Sequence, residues 1–335
     1  MTVPAEVRAF QPHPWFRGRH RMTVYGWAGR RTFPALPEAD LRLFTLSPVT
    51  TVMARCHWQP DRAACPTVLL LHGLEGSSDA RYMKGIADKA YRRGFNALRL
   101  NQRNCGETDH LSEGLYHSGL AEDPRGVIRE LIEHDGLRSL AVAGYSLGGN
   151  VALRLAGEDG ADAPPELKAV CAVSPPIELG VCMDLMEHPS NRLYEWHFML
   201  DLRRRMRVKA RLYPHLYDVS GLRGLWSVRG FDDRYTAPHH GFRDAADYYQ
   251  RASAMRVVDR IRIPTLVITS RDDPFIAVEP FSDPQLTNNP FVSVMMTDHG
   301  GHCGFIERPS GDYDGYWAEQ TVVDFIAEHV GIARQ

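Results

Sequence analysis

The feature that most constrains the fold is an alternation of short, wholly apolar runs with stretches of helical periodicity. The run Thr67–Leu71 lies between a proline and a His-Gly pair, which is typical of a strand buried on both faces. Side chains spaced by four residues follow at Tyr82, Ile86 and Ala90, and Gly94 ends the predicted helix. Alternating strands and helices predict an α/β fold, with a mostly parallel, twisted sheet covered by helices on both faces. The remaining elements are predicted as strands at 41–46, 51–58, 95–100, 139–143, 169–173, 263–269 and 291–296, and as helices at 121–134 and 316–330.

This alternation breaks once along the chain. Between residues 177 and 254 the apolar strand pattern is missing, and aromatic and basic stretches of helical spacing take its place. The simplest interpretation is one α/β core, residues 61–176 and 255–335, interrupted by a cap at 177–254. Residues 1–60 then form an N-terminal arm and an opening hairpin. Because 44% of the 335 residues are hydrophobic, the chain can bury a sizeable core, which excludes a disordered or fibrous protein.

Charge and composition argue against several classes of protein. Lys and Arg total 39 and Asp and Glu total 41, and a net charge of −2 does not fit a general nucleic-acid binder. Residues 1–22 carry Pro, His and Arg throughout, which predicts neither a secretory signal nor a membrane anchor. No run approaches the ~18 apolar residues that span a bilayer. The six cysteines are scattered without a Cys-x-x-Cys pair, so we predict reduced thiols in a cytoplasmic protein.

The segment with the clearest chemical meaning is Gly144-Tyr145-Ser146-Leu147-Gly148, at the junction of a predicted strand and helix. A serine there lies on a sharp, strained turn, and the glycines remove side chains that would clash with neighbouring backbone. The turn presents the hydroxyl at the C-terminal edge of the sheet, beside a helix N-terminus. The alternative is an ordinary turn whose serine caps the helix. We predict that Ser146 is a nucleophile.

A serine hydroxyl needs a base, and the base needs a carboxylate to orient it. In this type of fold they follow the serine in the order Asp, His. The strand at 263–269 runs into Asp272 and Asp273, and the strand at 291–296 runs into His299 and His302. We predict Asp273 as the orienting carboxylate and His302 as the base, because two glycines would let the His302 loop reach Ser146.

The two neighbours of these residues have simpler interpretations. Asp272 is predicted as a solvated loop carboxylate or turn cap, and His299 as a solvated loop histidine. A metal site on His299 and His302 is a remote alternative because no third ligand is identifiable. We predict no cofactor and no metal.

Backbone donors for a developing alkoxide are predicted in the His-Gly segment that follows the first buried strand. The N–H groups of Leu74 and Leu147 should converge there as an oxyanion hole. The side chain of His72, in the same segment, is predicted as a packed, hydrogen-bonded core residue.

Several longer stretches carry a more specific signal than the serine motif alone: LLLHGLEGSSDARYMKGIADKAYRRGF, NQRNCGETDHLSEGLYHSGLAED, GYSLGGN, AVSPPIEL, TSRDDPF and GGHCGFIE. In these stretches the chain resembles the α/β-hydrolase fold and, within it, the YheT-like group of hydrolases, which includes bacterial proteins and eukaryotic lipid esterases and lipases. The resemblance implies a Ser146–Asp273–His302 triad with Leu74 and Leu147 as oxyanion donors. One departure is Asn104, where that group usually has Gly.

These residues favour a serine hydrolase of carboxylic esters, with short- to medium-chain acyl or lipid esters as substrates. An acyltransferase that uses an alcohol instead of water is the near alternative, since the acyl-enzyme is the same. A non-catalytic ligand-binding scaffold is the alternative from another class, and three filled triad positions argue against it. The sequence does not indicate an oligomeric state.

The predicted cap contains an aromatic stretch followed by a basic one. It could form an apolar acyl-chain wall beside a cationic rim that makes peripheral contact with anionic membranes. The simpler interpretation, which we favour, is a helix with a buried aromatic face and a solvated arginine face. The residues concerned are Tyr194, Trp196, Phe198, Met199 and Leu200, then Arg203, Arg204, Arg205, Arg207, Lys209 and Arg211.

Overall fold

A computed structural model describes residues 8–332, and within them eight strands form one sheet. The spatial order is β1-β2-β4-β3-β5-β6-β7-β8, and β2 runs antiparallel to the other seven strands. This arrangement confirms the predicted mostly parallel sheet with an opening hairpin. The strands are β1 (Asp40–Ser47), β2 (Thr50–His57), β3 (Thr67–Leu71), β4 (Asn96–Asn101), β5 (Leu140–Tyr145), β6 (Leu167–Val173), β7 (Thr265–Ser270) and β8 (Val292–Thr297).

Helices cover both faces of the sheet, as predicted. On one face, α2 (Arg81–Arg92) and α11 (Trp317–His329) pack on side chains of β3 such as Val68 and Leu70. On the other face, α3 (Glu122–Glu133) and α4 (Leu147–Asp159) pack on alternate side chains such as Leu69 and Leu71. All five residues of β3 are buried, because consecutive side chains of a strand point to opposite faces and both faces are covered. The remaining helices are α1 (Arg19–Ala28), α5 (Leu179–Met186), α6 (Arg192–Leu212), α7 (Val228–Phe231), α8 (Ala237–His239), α9 (Ala245–Ala252) and α10 (Pro284–Thr287).

The connection from β6 to β7, residues 174–264, holds helices α5 to α9 and, within the described chain, no strand. A π-helical turn, Asp232–Thr236, joins α7 to α8. Apolar side chains of α6 and α7 form a small core of their own, which also takes in Leu115. The sheet edge with Ser146 lies beneath this connection, because α6 and α9 contribute to a cavity that the serine also lines.

The N-terminal segment contains a helix that the sequence did not indicate. In α1, Met22 and Thr23 are buried, but Val24 and Trp27 are exposed, so its apolar residues do not follow one face. Without that periodicity the segment carries no helical signal. Met22 packs against Ile306, which brings α1 to the loop that contains His302. The predicted arm at 1–60 starts outside the described residues, since 1–7 are not among them.

Candidate active site

Ser146 lies on a strained turn between β5 and α4. Its φ of 53° and ψ of −123° fall in a region that residues with a side chain rarely adopt. Its backbone N–H donates to the carbonyl of Val173, at 2.8 Å. The flanking glycines are required for steric reasons, because a Cβ on Gly144 would lie 2.0 Å from the carbonyl oxygen of Gly148. A Cβ on Gly148 would lie 2.5 Å from the carbonyl oxygen of His72.

We expect Gly148→Ala to destabilise the protein by about 3 kcal/mol or more, because the new methyl group meets fixed backbone of the neighbouring strand end. Urea unfolding at neutral pH measures the change. The matched control is Gly180→Ala in α5, where a Cβ has no heavy atom within 4 Å. There alanine should be neutral or stabilising by up to about 1 kcal/mol. Equal unfolding free energies for the two variants would contradict the steric argument.

The structure brings the three predicted residues Ser146, His302 and Asp273 into one hydrogen-bonded chain. Ser146 Oγ lies 2.9 Å from His302 Nε2, and His302 Nδ1 lies 2.9 Å from Asp273 Oδ2. Each group follows a strand of the parallel part of the sheet, which is why residues distant in sequence meet at one edge. Because an ionised carboxylate only accepts hydrogen bonds, Nδ1 carries a proton toward Asp273.

Asp273 is held in place by backbone groups as well as by His302. Its side chain is fully buried, and its Oδ1 accepts the N–H groups of Phe275 and Ile276 at 2.8 and 3.1 Å. Burial lowers the pKa of His302, but the Asp273 carboxylate and the neighbouring Cys303 together raise it by more, and the pKa lies well above the usual 6.5. Thr23 of α1 accepts the backbone N–H of His302 at 2.8 Å, a contact that the sequence analysis missed.

The neighbouring residues Asp272 and His299 form a second pair away from the serine. His299 Nδ1 lies 3.1 Å from Asp272 Oδ2, and Asp272 Oδ1 accepts the N–H of Gly301 at 2.8 Å. His299 is partly exposed, in keeping with its prediction as a loop histidine. The prediction of Asp272 as a solvated carboxylate is wrong, because its side chain is mostly buried and fastens the glycine loop that carries His302.

Two backbone N–H groups are available near Ser146, those of Leu74 and Leu147. Within residues 8–332 neither donates to another protein atom. Gly73 lets the loop approach closely, since a Cβ there would lie 3.0 Å from Ser146 Cβ. His72 is fully buried and neutral, with Nδ1 against the Gly73 carbonyl, and burial lowers its pKa to about 4. The packed role predicted for His72 fits this environment.

The loop that carries Leu74 is fastened to α6 by a buried ion pair. Glu75 has a φ of 53°, and its carboxylate Oε2 lies 2.7 Å from Arg205 Nη2. The hydroxyl of Tyr116 donates to Glu75 Oε1 at 2.9 Å and accepts the Glu75 N–H at 2.8 Å. Both charged side chains are largely buried. The pair was not predicted, because no local sequence pattern connects these two residues, which lie 130 positions apart.

The favoured interpretation of the basic stretch is wrong for three of its residues. Arg203 is buried with its guanidinium over the Trp226 ring, and Arg205 pairs with Glu75. Lys209 is fully buried and donates to the Asn104 side-chain oxygen at 3.1 Å, and burial lowers its pKa to about 8. The solvated basic residues are Arg204, Arg207 and Arg211. The aromatic stretch is also only partly buried, because Trp196 and Leu200 are exposed.

The departure at Asn104 is structurally accommodated. Its φ is 65°, in the left-handed region that glycine and asparagine tolerate best. Its side-chain amide donates to the carbonyl of Gly114 at 2.8 Å, and its side-chain oxygen receives Lys209. Asparagine therefore keeps the turn and adds a link to α6.

Two cavities meet at Ser146 and His302. The inner cavity, about 110 Å³, lies between the sheet edge and helices α5, α6 and α9. The outer groove, about 600 Å³, runs between α1 and the start of α6. Apolar side chains dominate the inner cavity, among them Leu147, Leu179, Met183, Met186, Phe198 and Leu202.

Neither a metal-binding cluster nor a membrane-spanning helix occurs within residues 8–332. That part of the chain contains no group of three or more His, Cys, Asp or Glu side chains arranged to hold a metal ion. None of the helices described is long and apolar enough to cross a membrane. All six cysteines lie in this part of the chain and are free thiols.

A sheet of this order, with a strained serine turn after β5, is the architecture of an α/β hydrolase. The family model of the alpha/beta hydrolase fold matches residues 66–309. The chain is 34% identical over 267 residues to the putative esterase YheT of Escherichia coli, covering 79% of this chain and 77% of that protein. It therefore belongs to the α/β-hydrolase fold family, in its esterase and lipase type.

Two further relatives extend the comparison. A medium-chain fatty acid ethyl ester synthase/esterase of Saccharomyces cerevisiae is 28% identical over 288 residues, which cover 78% of this chain and 62% of that one. Among solved structures, the Pyrococcus furiosus esterase Pf2001 superposes with a TM-score of 0.59 at 19% identity, covering 90% of this chain and 98% of the other. At 19% identity, the likeness to the Pf2001 structure shows a shared fold alone.

Proposed function

We propose that the protein is a serine hydrolase that cleaves carboxylic esters of short- to medium-chain acyl groups or lipids through an acyl-enzyme on Ser146. The observation that carries the proposal is the unbroken hydrogen-bonded chain Ser146–His302–Asp273 at the end of β5, with free N–H groups at Leu74 and Leu147 beside it. The esterase names of its relatives support the reaction class.

In this mechanism neutral His302 takes the Ser146 proton at Nε2 while Oγ attacks the ester carbonyl carbon. The carbonyl oxygen becomes an oxyanion and accepts hydrogen bonds from the N–H groups of Leu74 and Leu147, and losing one such donor typically costs about 2.7–4 kcal/mol of transition-state stabilisation. Collapse breaks the bond to the alcohol, whose oxygen receives the proton from Nε2. Water then repeats the sequence, with His302 as base, and releases the carboxylic acid and free Ser146. Asp273 stabilises the imidazolium in both halves.

A fluorophosphonate probe tests the nucleophile directly. The wild-type protein should take up about one probe per chain, and Ser146→Ala should take up none. Within residues 8–332 only Ser146 is hydrogen-bonded to a histidine that a buried carboxylate orients, whereas the His188 beside Ser190 has no such carboxylate. Mass spectrometry of the intact chain measures the stoichiometry, and the labelled peptide identifies the residue. Ser118→Ala is the matched control, since Ser118 also lines the inner cavity and should leave labelling unchanged. Wild-type stoichiometry in Ser146→Ala would refute the assignment.

Acyl transfer to an alcohol is the second candidate, favoured by the yeast relative, which is named as both a synthase and an esterase. The same acyl-enzyme would react with an alcohol in the outer groove instead of water. Product analysis with added ethanol separates the two, because transfer yields an ethyl ester and hydrolysis yields the acid.

Two further proposals concern organisation and location. Residues 177–254 act as a cap over the core at 61–176 and 255–335, supported by the contribution of α6 and α9 to the inner cavity. The free state of the six thiols supports a cytoplasmic location.

A further inference from the structure

The inner cavity contains one carboxylate that the proposed mechanism does not use. Asp232 belongs to the π-helical turn between α7 and α8 and lines the same cavity as Ser146 and His302. π-Helical turns are rare and occur frequently at functional sites. The side chain is buried, in a lining that is otherwise mostly apolar.

Asp232 is held by two hydroxyl groups and has room for another donor. Thr236 Oγ1 donates to Oδ1 at 2.6 Å, and the hydroxyl of Tyr249 donates to Oδ2 at 2.7 Å. Within the described residues, both hydrogen bonds to the Asp232 carboxylate come from hydroxyl groups, and no charged side chain donates to it. Two carboxylate oxygens offer about four acceptor positions, so about two are unused.

A buried carboxylate without a paired cation is costly and gains from any further donor that reaches it. Burial raises the pKa of Asp232 to about 6, so the ionised form still predominates at neutral pH. A ligand hydroxyl entering the cavity would therefore meet an anionic acceptor with unused capacity.

The chemistry at His302 decides which half of an ester reaches Asp232; this step rests on the function proposed above. His302 must protonate the leaving alcohol, so the alcohol lies on its side of the site. Ser146 and His302 line both spaces, but Thr23 and Cys303, which adjoin His302, line the outer groove alone. Leu147, a proposed oxyanion donor, lines the inner cavity alone. The alcohol then leaves into the outer groove and the acyl chain occupies the inner cavity.

The volume of the inner cavity limits the length of that chain. A cavity of about 150 Å³ accommodates the six carbon atoms of benzene, so 110 Å³ accommodates about four non-hydrogen atoms. Three carbons beyond the carbonyl, followed by a hydroxyl oxygen, match that number.

We propose that Asp232 is a specificity-determining residue that selects esters of short hydroxylated acyl groups, by accepting a hydrogen bond from a hydroxyl at the end of the chain remote from the ester. The carboxylate, with Thr236 and Tyr249 as its supports, forms the polar end of an otherwise apolar acyl site. Alkyl chains of the same length leave the remaining acceptor positions of the carboxylate unused.

Benzyl 4-hydroxybutyrate and benzyl pentanoate test this selection, because they differ only by a hydroxyl in place of a methyl group at one end. Release of benzyl alcohol gives kcat/KM for each ester, after subtraction of the release without enzyme. The wild type should prefer the hydroxylated ester by about tenfold or more, the effect of one hydrogen bond to a charged group. Equal rates, or a preference for pentanoate, would overturn the proposal.

Variants at the same position identify the residue responsible. Asp232→Leu, similar in size, should abolish the preference through a fall in kcat/KM for the hydroxylated ester, with pentanoate turnover retained or increased. Asp232→Asn should lower the preference at least threefold and serves if the leucine variant does not fold. Asp233→Asn is the control, because Asp233 is the exposed neighbour and should leave the preference unchanged.

The outcomes separate this proposal from the proposed function. A preference that survives both substitutions at Asp232 would overturn the role of that residue. Equal turnover of the two esters by a protein whose Ser146 is labelled would overturn the selectivity alone. Absence of both turnover and labelling would instead contradict the ester hydrolase itself, and this inference with it.

Discussion

Asp273→Asn is expected to lower kcat for ester hydrolysis about 10⁴-fold while the protein stays folded. The expected loss follows from the different hydrogen-bond partners of the two Asp273 carboxylate oxygens. Oδ1 accepts the N–H groups of Phe275 and Ile276 and lies 3.2 Å from His302 Nδ1, whereas Oδ2 is the closer of the two oxygens to Nδ1, at 2.9 Å. The asparagine oxygen will therefore keep the Oδ1 position, and its NH2 group will replace Oδ2. An NH2 group facing His302 Nδ1 forces that nitrogen to accept, which moves the imidazole proton to Nε2. His302 then has no lone pair with which to take the Ser146 proton.

The pH profile separates this electrostatic role from a loss of structure. Since the Asp273 carboxylate, together with Cys303, outweighs burial and raises the pKa of His302 well above 6.5, the neutral base accumulates only as pH rises through that raised pKa. Wild-type kcat/KM should therefore rise with pH along an acidic limb that lies above 6.5. In Asp273→Asn the raising charge is gone, and the limb of the residual activity should move to lower pH. Initial rates between pH 5 and 10, at constant ionic strength, measure both.

The adjacent carboxylate supplies the control. Asp272→Asn can keep the contact to the Gly301 N–H through its oxygen and loses only the charge opposite His299. We expect its kcat to fall by less than about tenfold, with an unchanged acidic limb. Similar losses in Asp272→Asn and Asp273→Asn would contradict the assignment of Asp273 as the orienting carboxylate.

The sequence predicted those parts of the fold and site that depend on local patterns. Consecutive apolar runs predict buried parallel strands, and parallel strands bring their C-terminal ends to one edge. Counting from strand ends therefore indicates Ser146, Asp273 and His302, and the three form a single hydrogen-bonded chain. The glycines of the serine turn were predictable from the same local pattern, because a side chain at either position would clash with neighbouring backbone.

Contacts between distant segments were not predictable in this way. Thr23 supports His302 from a helix whose residues show no amphipathic pattern. The role inferred for Asp232 depends on its hydrogen bond to Tyr249 and on the cavity that both residues line, and neither is visible in the sequence. The basic stretch did contain a usable signal, because Arg205 and Lys209 are four residues apart and share a helix face. A run of basic residues nevertheless resembles a solvated face, and only the position of Glu75 and Asn104 shows why this face is buried.

Arg205→Met is expected to destabilise the protein by about 3–5 kcal/mol, because it leaves the carboxylate of Glu75 buried without its cation. Glu75→Gln together with Arg205→Met removes both charges and keeps an acceptor for the Tyr116 hydroxyl, so most of the loss should be recovered. Urea unfolding of the two single variants and the double variant gives the coupling free energy. Arg251→Met is the control, because Arg251 is exposed in its pair with Asp247 and solvent screening leaves such a pair little effect on stability.

We expect kcat and the unfolding free energy to respond differently to these substitutions, and that difference identifies Arg205 as a positioning residue. Glu75 follows Leu74, whose N–H is a proposed oxyanion donor, so the ion pair with α6 fixes the place of that donor. Measured well below the unfolding temperature, kcat should fall about tenfold or more in Arg205→Met, part of the 10²–10³ that a whole donor contributes. In the double variant stability returns but kcat stays low, because the link to α6 is still missing. If the double variant recovers both stability and kcat, the ion pair has only a structural role. If Arg205→Met is as stable as Arg251→Met, the buried ion pair does not stabilise the protein to the expected extent.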